Sequence, residues 1–392
     1  MIDNNKLSVL MFSTDYKPDG GGIAEHTYQM ARHLHNHGCR MVVLSVKKMG
    51  CEEFDGNQLF KTYRVFNIWF LRNLLLFFYL LYLCRKEDIK CVYSTITHPC
   101  GELSYVGSFL LHYKTIISVH GYEVNYNGIS WRGKLKKNLK WTRSHIYNHT
   151  DKVFVVSEYT KQKLIQSGVN QRQIQVYPNG VDMDEWVNVA KDEQLIERYN
   201  LNNKKIILTV GSLIPRKGHD IVIKAISRIK AKIPNVKYII AGEGPNENYL
   251  KGLVRERRLE EYVIFLGRFP QQRLNQLYNT CDVFVMPNRE DGSSVEGFGI
   301  VFLEANTCKK PVIGGNSGGT ADAIVSGRTG FLVDPNNIKD LSGKIIELLA
   351  NSDMAQRIGY QGYERIKNEL TWDKIVSGIR LKIENIITKG YC

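Results

Sequence analysis

The chain has 392 residues, 43% hydrophobic and 23% charged, with no low-complexity tract, which is ample for two domains with full cores and excludes a disordered or fibrous protein. Its net charge of +14 is concentrated: residues 1–181 hold 23 Lys/Arg against 13 Asp/Glu and the remainder 30 against 26, so an anionic partner, lipid or nucleic acid, belongs to the first half. The longest apolar stretch, residues 74–84, falls short of the roughly 20 residues of a membrane span, and a polar Met1–Lys6 followed by a short apolar strand is no signal peptide, so a cytoplasmic protein is expected.

Taken in order, Leu7–Phe12 is predicted as a first buried strand. It runs into a loop ending in Gly20-Gly21-Gly22, a helix from Ile23 to about His37, and a second strand over Met41–Val46. The unit is β–Gly-loop–α–β without a G-x-G-x-x-G fingerprint, and the triple glycine suits a helix N-terminus that needs room. Phe66–Cys84 is apolar almost all round. The plain expectation is a buried helix covering the sheet; the alternative is an interfacial helix with its aromatics at a bilayer. Residues 91–94 and 115–119 are two more strands, the second ending in His120-Gly121-Tyr122-Glu123. Trp131–Arg143 carries Arg132, Lys134, Lys136, Lys137 and Lys140 between apolar residues, either a solvated helix face or a contact for anionic head groups. Val153–Ser157 is a strand whose last residue N-caps the next helix, and Tyr177-Pro178-Asn179-Gly180-Val181-Asp182 is a turn closing the first domain.

The second domain opens with the strand Ile206–Val210 and the loop Gly211–Gly218. There Arg216 offers a fork for phosphate oxygens and Lys217 a point charge ahead of a helix from about His219. Two strand-to-turn units follow, Ile239–Pro245 and Ile264–Arg268. The strand Asp282–Met286, closed by Pro287, then leads through a polar, glycine-rich loop into a helix expected from Phe298 to Ala305. Glu296 on the loop and Glu304 on the helix bracket seven residues and are expected to face one crevice at the carboxyl edge of the sheet. Gly297 and Gly299 admit a close ligand, and the first free helix amides, near Gly299 to Val301, form an anion site. The eight cysteines show neither a Cys-x-x-Cys pair nor a His/Cys cluster and are expected as buried, reduced thiols.

The Glu296-x7-Glu304 spacing resembles the E-x7-E signature of retaining glycosyltransferases of family 4, which share the two-lobed GT-B fold. The order Gly21-Gly22, Val119-His120-Gly121-x-Glu123, Pro178-Asn179-Gly180-Val181-Asp182 and Gly211-x5-Lys217-Gly218 extends the resemblance over nearly the whole chain. It implies an α/β fold of two doubly wound Rossmann-like domains facing a central cleft. The first is an acceptor-side domain over residues 1–181 and the second a nucleotide-sugar-binding domain over 182–371, with a C-terminal helix over 372–392 crossing back to the first. It further implies that Arg216 and Lys217 bind the donor diphosphate, with amides at Gly21, Gly22, Gly297, Phe298, Gly299, Ile300 and Val301 around it. Glu296 and His120 would hold the sugar, and Glu304 the ribose. The implied partners are a nucleotide-sugar donor, UDP- or GDP-linked, and a lipid-linked or glycan acceptor of cell-envelope glycan synthesis (lipopolysaccharide, O-antigen or exopolysaccharide), closest in pattern to mannosyl- and hexosyltransferases. An anionic membrane surface contacted by Arg132, Lys134, Lys136, Lys137 and Lys140 would place the protein peripherally on the inner face of the cytoplasmic membrane. No D-x-D lies in the donor loops, so neither metal nor cofactor is expected. A nucleotide-sugar epimerase or a phosphorylase shares the fold. A non-catalytic nucleic-acid binder would explain the charge but leaves the Arg-Lys loop and the paired glutamates without a purpose, so no nucleic acid is expected.

Overall fold

A computed structural model of the chain describes residues 7–124, 143–187 and 189–388. The chain divides into two compact units, Met1–Asn179 with Trp372–Cys392, and Gly180–Thr371.

In the first unit seven parallel strands form one sheet: β1 (Ser8–Phe12), β2 (Arg40–Val46), β3 (Lys61–Val65), β4 (Cys91–Ser94), β5 (Lys114–Val119), β6 (Lys152–Val155) and β7 (Ile174–Val176), in the order β3-β2-β1-β4-β5-β6-β7. Strands covered on both faces need apolar side chains on both, which is why β1 and β2 are nearly continuous hydrophobic runs and are buried throughout their centres. The order reverses between β1 and β4, the switch point where open sheets of this kind leave a crevice at their carboxyl edge. Helix α1 (Gly22–Asn36) leaves β1 there and packs against the last helix, Trp372–Thr388, which buries Ile375, Val376, Ile379 and Ile383; a short helix α2 (Cys51–Gly56) follows β2.

The segment after β3 corrects the expectation of a buried helix. Residues 66–71 are irregular, and the helix itself, α3, spans Arg72–Lys86. Leu76, Leu80 and Leu83 enter the core with Leu10, Val42 and Val92, while the opposite face leaves Leu74, Phe78 and Tyr82 exposed. An apolar face turned to solvent carries the same residue types as one turned to the core, so periodicity alone does not separate them. Helix α4 (Glu102–Leu111) packs beside α3: a Cβ on Gly107 would lie 3.4 Å from Leu81.

In the second unit β8 (Lys205–Val210), β9 (Val236–Ala241), β10 (Val263–Gly267), β11 (Val283–Met286), β12 (Val312–Gly315) and β13 (Gly330–Val333) form a parallel sheet in the order β10-β9-β8-β11-β12-β13. Its switch point lies between β8 and β11, and its core gathers Ile207, Tyr238, Ile240 and Val285 under helices His219–Ile229 and Ile338–Ala350. The seven described cysteines are free and buried, and burial pushes the thiols of Cys39 up to about 11 and of Cys84, Cys281 and Cys308 up to about 12. Among the described residues no helix is long and apolar enough to cross a membrane.

Candidate active site

The loops after β8 and β11, neighbours at the second unit's switch point, are stitched together before any side chain is considered. Gly218, at φ 75°, starts the helix His219–Ile229, and a Cβ there would stand 2.3 Å from the Pro287 carbonyl oxygen. Only glycine fits, so the Arg-Lys loop lies directly against the exit of β11. The Arg289 amide donates to the Arg216 carbonyl at 2.9 Å, and the Arg289 guanidinium pairs with the buried Asp220 carboxylate at 3.0 Å.

This seam brings Arg216, Lys217 and Glu296 into one ion triad. Arg216 Nη1 lies 2.5 Å and Lys217 Nζ 2.6 Å from the same oxygen, Glu296 Oε2, and all three side chains are at most 16% exposed. Burial pushes the Glu296 carboxyl up, but Lys217 and Arg216 outweigh it and hold it below the ordinary carboxylate range. Its backbone is fixed from the other side, where the Gly319 amide donates to the Glu296 carbonyl at 2.9 Å and a Cβ on Gly318 would meet that oxygen.

Gly297 is half-buried and Phe298 buried, and the helix then begins at Ile300, two residues later than its apolar pattern predicts. Gly299 explains the delay: at φ 95° it is outside the helical region, and a Cβ would sit 2.7 Å from the Phe302 ring. Ile300 and Val301 supply the first helical amides, half-buried. Glu304, on the same helix (Ile300–Thr307), has a partner of its own: the Tyr278 hydroxyl donates to Oε2 at 2.6 Å. Tyr278 is fully buried beside Trp186, and burial and the Glu304 carboxylate both push its phenol well above its usual value. The two glutamates thus have different charge environments, one gripped by two cations and one by a neutral hydroxyl.

In the first unit Gly21, at φ 121°, and Gly22 open α1, and a Cβ on either would meet nothing within 4 Å, so their backbone borders open space. His120 follows β5 and is packed edge-on to His26 of α1, ring centroids 4.6 Å apart. Asn179 Oδ1 lies 2.7 Å from His26 Nδ1, and Trp372 packs on the same ring at 5.5 Å. Burial drives His26 down to about 4, and burial together with His26 drives His120 well below the imidazole range, so both rings are neutral at pH 7. The Nε2 atoms of both have no hydrogen-bond partner among the described residues. The His120 amide donates to Glu123 Oε2 at 3.0 Å, and burial pushes the Glu123 carboxyl up to about 7.

Sequence reasoning misses His26, Asn179 and Trp372, which come from three distant segments, and Tyr278 and Arg289, whose partners are visible only once β8, β11 and their helices are side by side. Asn288 is missed too. Buried after Pro287, it donates to Thr320 Oγ1 at 2.7 Å and accepts from the Gly315 amide at 3.3 Å; a lone Asn at a strand exit is its only signal. No group of three or more His, Cys, Asp or Glu side chains suited to a metal ion occurs among the described residues. Arg132, Lys134, Lys136, Lys137 and Lys140 lie outside the described residues.

Two doubly wound sheets, the second carrying a cation-rich loop at its switch point, are the architecture of GT-B proteins. The chain superposes on the crystal structure of Anabaena HepE in complex with UDP and glucose with a TM-score of 0.82 at 19% identity, covering 97% of this chain and 100% of that one. The family described as Glycosyltransferase Family 4 matches residues 20–185, and Glycosyl transferases group 1 matches residues 191–365. The GDP-mannose-dependent monoacylated alpha-(1-6)-phosphatidylinositol monomannoside mannosyltransferase of Corynebacterium glutamicum is 31% identical over 303 residues, 76% of each chain. The GDP-mannose-dependent alpha-(1-6)-phosphatidylinositol monomannoside mannosyltransferase of Mycolicibacterium smegmatis is 27% identical over 371 residues, 93% of this chain and 95% of that one. The chain belongs to glycosyltransferase family 4, with the GT-B fold.

Proposed function

We propose that this glycosyltransferase moves a hexosyl unit from a nucleoside-diphosphate sugar to a hydroxyl of a glycolipid or polysaccharide acceptor of the cell envelope, with retention of configuration. GDP-mannose is the first donor to test, because both mannosyltransferase relatives described above are named GDP-mannose-dependent; UDP-glucose is the second, after the HepE complex. The observation that carries the reading is the Arg216–Lys217–Glu296 triad at the switch point between β8 and β11.

The reaction breaks the bond between the anomeric carbon and the diphosphate oxygen, forms one to the acceptor oxygen, and passes the acceptor proton to the departing diphosphate. Charge builds on the leaving group and on an oxocarbenium-like sugar, so the protein's work is electrostatic. Arg216 and Lys217 neutralise the diphosphate, with the amides of Gly299, Ile300 and Val301 as further donors. Glu296 holds the sugar, and Glu304, oriented by Tyr278, accepts from the ribose hydroxyls. With two cations supplied by the chain, turnover needs no divalent metal. The protein is a peripheral one, drawn to an anionic inner-membrane surface by its basic first half.

The test is a panel of GDP- and UDP-sugars, read by thermal shift and by transfer to a lipid acceptor, with and without EDTA. Stabilisation by one donor class and turnover that survives chelation are expected. Activity abolished by EDTA and restored by Mg²⁺ overturns the metal-free site, and donor consumption without acceptor points to an epimerase or hydrolase.

A further inference from the structure

We propose that the exposed faces of α3 and α4, with the loop that leads into α3, form a membrane-docking surface that seats in the head-group region of an anionic bilayer. The proposal goes beyond the transfer reaction and stands without it, on surface geometry and charge. Among the described residues, 12 of the 21 exposed large hydrophobic side chains fall in two short stretches, 66–82 and 106–110. Trp69 and Phe70 at the loop are 88% and 75% exposed. Leu74 and Phe78 continue the patch along α3 at i and i+4, and Phe109 and Leu110 continue it on the adjoining α4. An apolar patch of this size on one face marks a surface that is covered in use.

The charge around the patch decides the occupant. From Gly56 to Lys86 the sequence has no Asp or Glu but carries Lys61, Arg64, Arg72, Arg85 and Lys86. Arg64 is committed inward, to Asp55 at 2.6 Å, and Lys61 is paired with Glu87 at 3.2 Å. Arg85 and Lys86 are exposed at the end of α3, and Lys47 lies over the Phe66 ring at 4.8 Å. Apolar side chains rimmed by cations, with Trp69, Tyr79 and Tyr82 as amphipathic rings, match the boundary between lipid head groups and acyl chains. A second copy of the chain docked on the same face would set each cationic rim against its own like, which an isologous contact does not tolerate without acids to answer it.

The experiment is flotation of the full chain with vesicles of phosphatidylcholine containing a third phosphatidylglycerol, compared with phosphatidylcholine alone. Trp69→Ser combined with Phe70→Ser opens no internal gap, since both side chains are solvent-facing, and an unchanged melting curve checks that. The double variant is expected to lose about tenfold or more in partitioning on anionic vesicles. A second measurement is independent of truncation: brominated lipids quench tryptophan fluorescence of the wild type, and Trp69→Phe, which keeps the apolar bulk, still binds but loses most of the quenching. Equal binding of wild type and double variant, or undiminished quenching in Trp69→Phe, overturns the surface. So does loss of binding only when Lys134, Lys136, Lys137 and Lys140 are changed to Gln. A wild type whose sedimentation mass is doubled, and halved by Trp69→Ser/Phe70→Ser, assigns the patch to a second copy and also overturns the proposal.

Discussion

At Glu296 one carboxylate oxygen serves the two cations proposed to bind the donor diphosphate. Truncating Arg216 or Lys217 to Ala removes one preorganised electrostatic donor, so kcat/KM should fall by about 2–4 kcal/mol of transition-state stabilisation, roughly 30- to 1,000-fold. Wild-type turnover in both variants would remove the phosphate role. Glu296→Gln should act in two directions. Freed of their internal anion, the cations should bind GDP or UDP about tenfold more tightly, while turnover falls with the lost sugar contact and the unliganded protein melts lower for want of a partner. Calorimetry showing no gain in nucleotide affinity would mean that carboxylate and diphosphate do not share the cations. Glu123 gives a pH test. Its folded carboxyl is protonated up to about 7 while the unfolded one ionises above roughly 4.3, so its contribution is present at low pH and lost as pH rises through 7. His26 has the opposite sign: unfolded imidazole takes a proton near 6.5 and folded His26 only near 4, so stability is lost as pH falls between those values. Glu123→Gln, neutral throughout, should therefore gain on the wild type between about pH 5 and about pH 8, by a few degrees of Tm. A Tm difference independent of pH would contradict the raised carboxyl.

At the scale of elements, legibility follows from what covers each one. Strands buried on both faces, such as β1 and β11, are unbroken apolar runs bounded by turn residues, and the sequence marks them to within a residue or two. The start of helix Ile300–Thr307 is misread because its apolar run begins earlier, at Phe298, while Gly299 keeps the chain out of the helix until Ile300. The outer face of α3 is misread because burial is not written in residue type. Arg216, Lys217 and Glu296 are nameable from motif spacing. Their mutual pairing is not, since contacts across 79 and 80 residues exist only because β8 and β11 are neighbours. His26 gives no signal at all until Asn179 and Trp372 arrive beside it. The last helix shows what one late element carries. Trp372, Ile375, Val376, Ile379, Ile383 and Ile387 are buried along it, and at about 1.5–3 kcal/mol each that is on the order of 10 kcal/mol, comparable to the whole stability of a domain. A chain ending at Thr371 should lose the folding transition of the first sheet while helices and strands of the second persist by circular dichroism. Unchanged melting of both would show that the helix is dispensable.

At the scale of the whole molecule the buried thiols have a use that chemistry, not catalysis, gives them. A thiol attacks a disulfide reagent only as its thiolate, and burial that both hides Cys84 or Cys308 and lifts its titration to about 12 makes it silent while its surroundings stay closed. The chain therefore carries built-in clocks, Cys39, Cys84, Cys91 and Cys100 in one unit and Cys281 and Cys308 in the other. Each core is its own, so the two sets should label at different rates when exchange with an aromatic disulfide is followed by mass spectrometry in rising denaturant. Matching rates across both sets at every concentration would mean that the chain opens as one cooperative body. Divergent rates would tell, without any added probe, which half yields first, and donor added to the mixture should slow most the two clocks of the unit that carries Arg216 and Lys217.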